Sequence, residues 1–424
     1  MQENEGTVNR RELINRMKSL FNSTEKPIPP VRRDLQLIPI QNNGEEVLYV
    51  YDQLGYVPQD FGLNRQIEPI LSLINGRTTV QGITRALDNQ VSGEDLLQFI
   101  QLLDQNCLLH SRFYKIRSRH IEESFEKSDR RPAALAGTSY PDESEDLSQY
   151  LTELFAASKL SSSLPKPAKA LFAPHIDLRV GSEMYGRVFR TLKDLKPARL
   201  VILATAHYTG YYPDLYDNKP FIGSRKVFEM PHGSLQPDRN YLDRLLEHQQ
   251  MIGYTEQDRA HRIEHSIELH LLFIQQIWNH DFEIVPLLVN SFEELLLMPD
   301  GHLGGLIGNF SKLLRELDDE NTFYLISGDL SHVGKKFGDV DPADKMKDRV
   351  SQFDELFLSA SADNDSKKIF RSIRDISDQY RVCGFPPLYT FLETFPDLKG
   401  HQLDYHWWDE QERQSAVSFG AIAY

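Results

Sequence analysis

Apolar and polar positions follow two different patterns along the chain. In residues 168–424, short apolar runs recur between amphipathic stretches. KALFAPH is an apolar run ending at His175, and the helical stretch SEMYGRVFRTLKDL follows it. ARLVILATAH ends at His207. DFEIVPLLVN and NTFYLISGDLSH come later, separated by the helical LGGLIGNFSKLLREL. Continuous apolar runs suit strands covered on both faces. Their alternation with helical stretches predicts an α/β fold, a largely parallel sheet flanked by helices.

Upstream the periodicity changes. LYVYDQ reads as a strand and RQIEPILSLIN as a helix stopped at Gly76. Thr78 or Thr79 is placed to cap TTVQGITRAL. Ser92 and Asp95 approximate a capping box for a longer helix with Leu96, Ile100 and Leu103 on one face. A final apolar strand, CLLHSRFY, completes a winged-helix-like α+β pattern over residues 31–120. Residues 1–30 read as a polar extension ending in KPIPPVRR. Residues 121–165, rich in charge, Ser and Pro, read as a linker with a helix near 145–158. The domain of chief interest then spans 166–424.

Composition narrows the function classes. The 424 residues carry 47 Lys+Arg against 62 Asp+Glu, a formal charge of −15. That balance argues against a dedicated nucleic-acid or anionic-membrane binder. Two cysteines, Cys107 and Cys383, make no disulfide framework. No apolar run reaches a membrane span, and the polar N-terminus lacks the core of a secretion signal, so the expected location is cytoplasmic. There is no GxGxxG after a strand, no Walker A loop, no GxSxG elbow and no CxxC pair.

In open α/β sheets, ligands bind beyond the carboxyl ends of the strands. Three of the four runs end in His or Asp: His175, His207, and Asp329 with His332 three residues on. Neutral imidazole is a common transition-metal ligand. Either histidine alone also reads as a polar strand end bonded to backbone. Asp329 can ligate, orient a ligand or act as a base, and His332 can ligate or carry protons. Cys383 precedes Gly-Phe-Pro-Pro and a helix, a position that would lower a thiol pKa. A small buried apolar role is the alternative there, and it prevails for Cys107. HRIEHSIELHLL places His261, His265 and Glu268 at i, i+4 and i+7 of a helical pattern, with His270 following. It lacks the HExxH arrangement of zinc proteases.

Six ordered blocks extend this reading. APHIDLRVGSEMYG, ATAHYTG, EHSIELHLLF, IVPLLVNSF, SGDLSHVGKKFG and VCGFPPLYTFL resemble the Memo-like family, also named AmmeMemoRadiSam system protein B, over about residues 168–424. That family is similar in fold to class III extradiol dioxygenases of the LigB type. The resemblance implies metal ligands at His175, His207 and Cys383, with Asp329 and His332 beside them. It also implies pocket roles for His265, Glu268 and His270. Iron(II) is the expected metal, with copper or zinc as alternatives. The implied activity is non-haem, metal-dependent redox chemistry of oxygenase type. The alternative is a non-catalytic peptide or phosphopeptide binder, since some members are described so. Where the family often has PHAGY, this chain has PHIDLRVG, and Asp177 and Arg179 bring charge to the pocket mouth.

LSLINGRTTVQGITRAL and LLQFIQLLDQNCLL resemble PqqD-like modules, which often bind a precursor peptide by β-addition. The resemblance implies a small-molecule or peptide substrate, with a precursor-peptide or protein partner at the N-terminal domain. An accessory domain that only packs or dimerises is the other reading.

Overall fold

The computed structural model describes residues 19–42, 44–158 and 168–424. Most of the expected polar extension and the SSSLPK stretch lie outside the described residues. The chain divides into two compact units, 1–127 and 128–424.

In the first unit, β1 (Leu35–Asn42), β2 (Glu45–Asp52) and β3 (Gly62–Asn64) form an antiparallel sheet in that order. Helices Glu68–Leu73, Val80–Ala86 and Gly93–Gln105 follow. Thr79 and Ser92 cap the second and third by accepting from Gly82 N and Asp95 N. The expected closing strand does not form. Leu109 makes only an isolated bridge to Val31, and a helix runs Arg112–Lys127. Ser111 Oγ accepts from Tyr114 N, and the helix buries Phe113 and Phe125, so local capping and amphipathicity override β-propensity. The fully buried Arg32 side chain pairs with Asp52 at 2.9 Å and lies over the Tyr114 ring.

The second unit contains β4 (Arg130–Pro132), β5 (Ala170–Ala173), β6 (Arg199–Thr205), β7 (Phe221–Gly223), β8 (Val227–Met230), β9 (Gly233–Leu235), β10 (Tyr254–Thr255), β11 (Glu283–Val289), β12 (Thr322–Ser327), β13 (His332–Gly334), β14 (His401–Glu410) and β15 (Ser415–Ala423). Its 9-stranded sheet runs β10-β7-β11-β6-β12-β5-β15-β13, with β14 beside β15. The centre, β11-β6-β12-β5, is parallel. The β15 side is antiparallel, because β14 and β15 form a hairpin-like pair rather than a helical crossover.

Alternate residues of the parallel strands enter different cores. Phe172, Leu203, Tyr324 and Leu287 face one core, with helices His302–Leu317, Ala343–Ala362 and Phe385–Thr394. Leu171, Ile202, Leu325 and Leu288 face the other, with helices Ser144–Ala157, Leu178–Phe189 and His265–Ile277. This double coverage explains the unbroken apolar runs. The segment read as a linker is in part integral to this unit. Arg130–Pro132 pairs with β8, and Ser144–Ala157 buries Leu147, Leu151 and Leu154.

Two glycines set the approach of the loops after β12 and before the helix Phe385–Thr394. A Cβ at Gly328 would lie 2.1 Å from Gly384 Cα, and one at Gly384 would lie 2.8 Å from Asp329 O. Gly384 N donates to that same Asp329 O at 2.9 Å. Gly384→Ala should therefore cost roughly 2–3 kcal/mol in denaturant unfolding, the penalty of overpacking a rigid backbone contact. A loss under about 0.5 kcal/mol would contradict this tight apposition.

Candidate metal centre

The parallel register brings three strand ends together. Ser327 of β12 is aligned with Ala173 of β5 and with Ala204 of β6. Two or three residues beyond these positions stand His175, Asp329 and His207. The Gly328–Gly384 contact adds Cys383 from one face of the sheet. The helix His265–Ile277 adds His265 from the other face.

Hydrogen bonds define the tautomers of the two strand-end histidines. Ser327 Oγ donates to Ser266 O at 2.7 Å, so it accepts from His175 Nδ1 at 2.9 Å. His207 Nδ1 donates to Glu264 Oε1 at 2.9 Å, and His207 N donates to Glu264 Oε2 at 2.8 Å. Each imidazole therefore carries a proton on Nδ1, and in its neutral form keeps its lone pair on Nε2. His175 Nε2 lies 3.4 Å from Cys383 Sγ and 3.9 Å from Asp329 Oδ2. The His175 ring centroid is 4.8 Å from that of His207 and 5.3 Å from that of His265.

Two groups of ligand atoms, each within 4.8 Å of one another, share His175. One is His175, His207 and His265; the other is His175, Asp329 and Cys383. The expected set of His175, His207 and Cys383 straddles both. His265 enters as a further nitrogen donor, and Asp329 as a direct oxygen donor. Histidines held through Nδ1 by a hydroxyl or carboxylate, with Nε2 lone pairs converging beside a thiol and a carboxyl, fit a transition metal.

Burial shapes the charges. It holds the His175 pKa well below its ordinary value, helped by the neighbouring imidazoles. Burial also acts to lower His207, but the Glu264 carboxylate outweighs it and the pKa rises. Glu264 is driven far down: burial opposes its charge, and His207 and His265 more than compensate. Asp329 is pushed up to about 7 by burial, against bonds from the His175 and Ile176 N–H groups. The Cys383 thiol is pushed well up, by burial and then by Asp329. The expected helix-end lowering of this thiol is therefore reversed, because desolvation of a thiolate dominates.

The other expected residues occupy varied positions. His332 lies beside the centre, with Nδ1 donating to Leu330 O at 3.1 Å and Arg381 O at 3.0 Å. Asp177 caps the helix Leu178–Phe189 and pairs with Arg179 at 2.6 Å, whose side chain is 81% exposed.

Glu268 and His270 are not pocket residues. Glu268 is fully buried, pairs with Arg131, and accepts from Tyr140 Oη and from the N–H groups of Ala134 and Leu135. His270 sits among Tyr185, Phe189 and Phe273, with neither ring nitrogen hydrogen-bonded. Burial lowers its pKa to about 3, so it is a neutral core residue. Nor do His261 and Glu268 share a helix face. His261 belongs to a 3-10 turn, Arg259–Arg262, that ends before the helix begins. Glu264 and Ser327 were missed as functional residues. Glu264 was visible only as an acidic neighbour of His265, the position of its N-cap.

The profile of the Memo-like protein family matches residues 131–423. The chain belongs to that family. A MEMO1 family protein of Aquifex aeolicus is 26% identical over 384 residues, covering 88% of this chain and 95% of its own length. That share exceeds the second unit, so the similarity extends into the first. A MEMO1 family protein of Thermus thermophilus is 26% identical over 78% of this chain and 93% of its own. One from Methanosarcina mazei is 23% identical over 64% of this chain and 88% of its own.

The Arg131–Glu268 pair gives a test of structure apart from the centre. Glu268→Gln should cost roughly 3–5 kcal/mol near neutral pH, because it leaves Arg131 buried without its anion. The folded-state pKa of Glu268 is lowered, because Arg131, the Tyr140 hydroxyl and the N–H groups of Ala134 and Leu135 overcome burial. Its contribution is thus present above the unfolded carboxyl pKa and lost as pH falls through the folded value. Denaturant unfolding should show the difference from wild type narrowing below about pH 4. A gap that is constant with pH would contradict the pairing.

Proposed function

We propose that the second unit is a mononuclear, non-haem, metal-dependent redox enzyme that takes iron(II). His175, His207 and Cys383 would hold the metal, with Asp329 and His265 within reach to complete the set. One observation carries this reading: two imidazoles, each fixed by a dedicated hydrogen bond, direct free Nε2 lone pairs toward a centre flanked by a thiol and a carboxyl. When bound, such a metal supplies one-electron and dioxygen chemistry that no side chain here can perform.

The chain's own groups have separable roles. Ser327 and Glu264 orient the imidazoles, and Glu264 offsets positive charge at His207. Asp329, with a pKa near neutrality, can hold or release a proton at its carboxyl oxygen. The His332 Nε2 lone pair offers a second proton acceptor, since Nδ1 is committed to backbone carbonyls. A cleft of about 410 Å³ reaches His207 and Cys383 and leaves room for a small substrate.

Anaerobic loading with iron(II), followed by elemental analysis, should give about one metal per chain. His175→Ala and Cys383→Ala should each lose most of it, and Glu264→Gln should weaken binding roughly 10–100-fold. The raised thiol pKa means that metal must displace a proton, so apparent affinity should rise with pH. A wild-type protein that refuses metal, or a Cys383→Ala variant with full occupancy, would contradict the proposal. The first result would favour a peptide-binding role instead.

A further inference from the structure

The carbonyl of Cys383 is not served by the helix that follows it. In a regular helix a carbonyl accepts from the N–H four residues on. Four residues after Cys383 stands Pro387. Three residues on, where a tighter 3-10 bond would find its donor, stands Pro386. Neither proline has an N–H to give. The next carbonyl, that of Gly384, is served in the regular way by Leu388 N at 3.1 Å. A main-chain carbonyl left unpaired away from water is costly, so Cys383 O needs a donor from elsewhere in the fold.

That donor is Thr205, the last residue of β6 and itself buried. Its Oγ1 donates to Cys383 O at 2.8 Å and lies 3.2 Å from Ser327 O. The hydroxyl has one proton, and the shorter contact is the better hydrogen bond. Thr205 is held in turn, because its own carbonyl accepts from Ser266 Oγ at 2.8 Å. Two residues beyond it stands His207. The Cys383 sulfur meets a separate donor, Asp329 N, at 3.2 Å. Main chain and sulfur are thus fixed by different groups.

Resting on the metal-enzyme reading above, we propose that Thr205 is a positioning residue for the Cys383 sulfur. Its hydroxyl ties the main chain of Cys383 to the strand end that leads to His207. Sulfur and imidazole then keep their relative places before a metal arrives. The role needs a hydroxyl, which Ser supplies and Ala and Val do not.

Oxygen-free titration of the full-length protein with cobalt(II), followed by the sulfur-to-cobalt charge-transfer absorption, tests the proposal. Cys383→Ser should abolish that absorption and so identify it. Thr205→Ser should match wild type in affinity and in absorption per bound cobalt. Thr205→Ala and Thr205→Val should bind roughly tenfold more weakly, the effect of losing a group that orients a ligand. Their absorption per bound cobalt should also fall. General loss of stability would not change that second readout in folded protein, so it reports where the sulfur stands. If Thr205→Val does not fold, Thr205→Ala against Thr205→Ser carries the comparison. Thr205→Ala equal to wild type in both readouts, Thr205→Ser as weak as Thr205→Ala, or weaker binding with unchanged absorption would overturn the positioning role alone. A wild type that takes no cobalt would bring down the metal-enzyme reading, and this proposal with it.

Discussion

The register between β5, β12 and β6 brings the candidate donors of the second unit together. Ser327 is aligned with Ala173 and Ala204, so the residues just past each strand must meet. His175, Asp329 and His207 occupy those positions. Cys383 joins them only because Gly328 and Gly384 let two backbones touch. A side chain at either glycine would separate the thiol from Asp329 and His175. The centre therefore depends on backbone geometry as much as on its donors.

Electrostatics then divides the labour. Ser327 and Glu264 fix proton positions on the imidazoles and leave their Nε2 atoms as donors. Glu264 also caps the helix that presents His265, so one carboxylate ties β6 to that helix. A second carboxylate on the same helix acts differently. Glu268 faces away from the centre and anchors Arg131 and the segment behind it. Two glutamates four positions apart thus serve the site and the fold separately.

Much of this was legible in the sequence. Apolar runs ending in His175, His207 and Asp329 marked both the sheet and the edge where these three side chains meet. What misled was periodicity without a known helix start. Spacing put His261, His265 and Glu268 on one face, and the resemblance added His270 to the pocket, but the helix begins at His265 and buries Glu268 and His270. Charge-rich composition hid the docking of residues 130–157, because the partner of Arg131 lies far away in sequence. The Arg112–Lys127 helix was hidden by the apolar residues before it, whose bridge to Val31 is a single pair. Glu264 had no pattern to mark it; its role exists only where β6 and the helix start converge.

In the proposed site one metal is held jointly by a strand-end imidazole and the Cys383 sulfur. X-ray absorption of the anaerobically iron-loaded protein tests it most directly. The spectrum should show a sulfur scatterer together with imidazole in the iron's coordination sphere, and loss of the sulfur in Cys383→Ser. A spectrum of nitrogen and oxygen ligands alone, unchanged by that substitution, would contradict it.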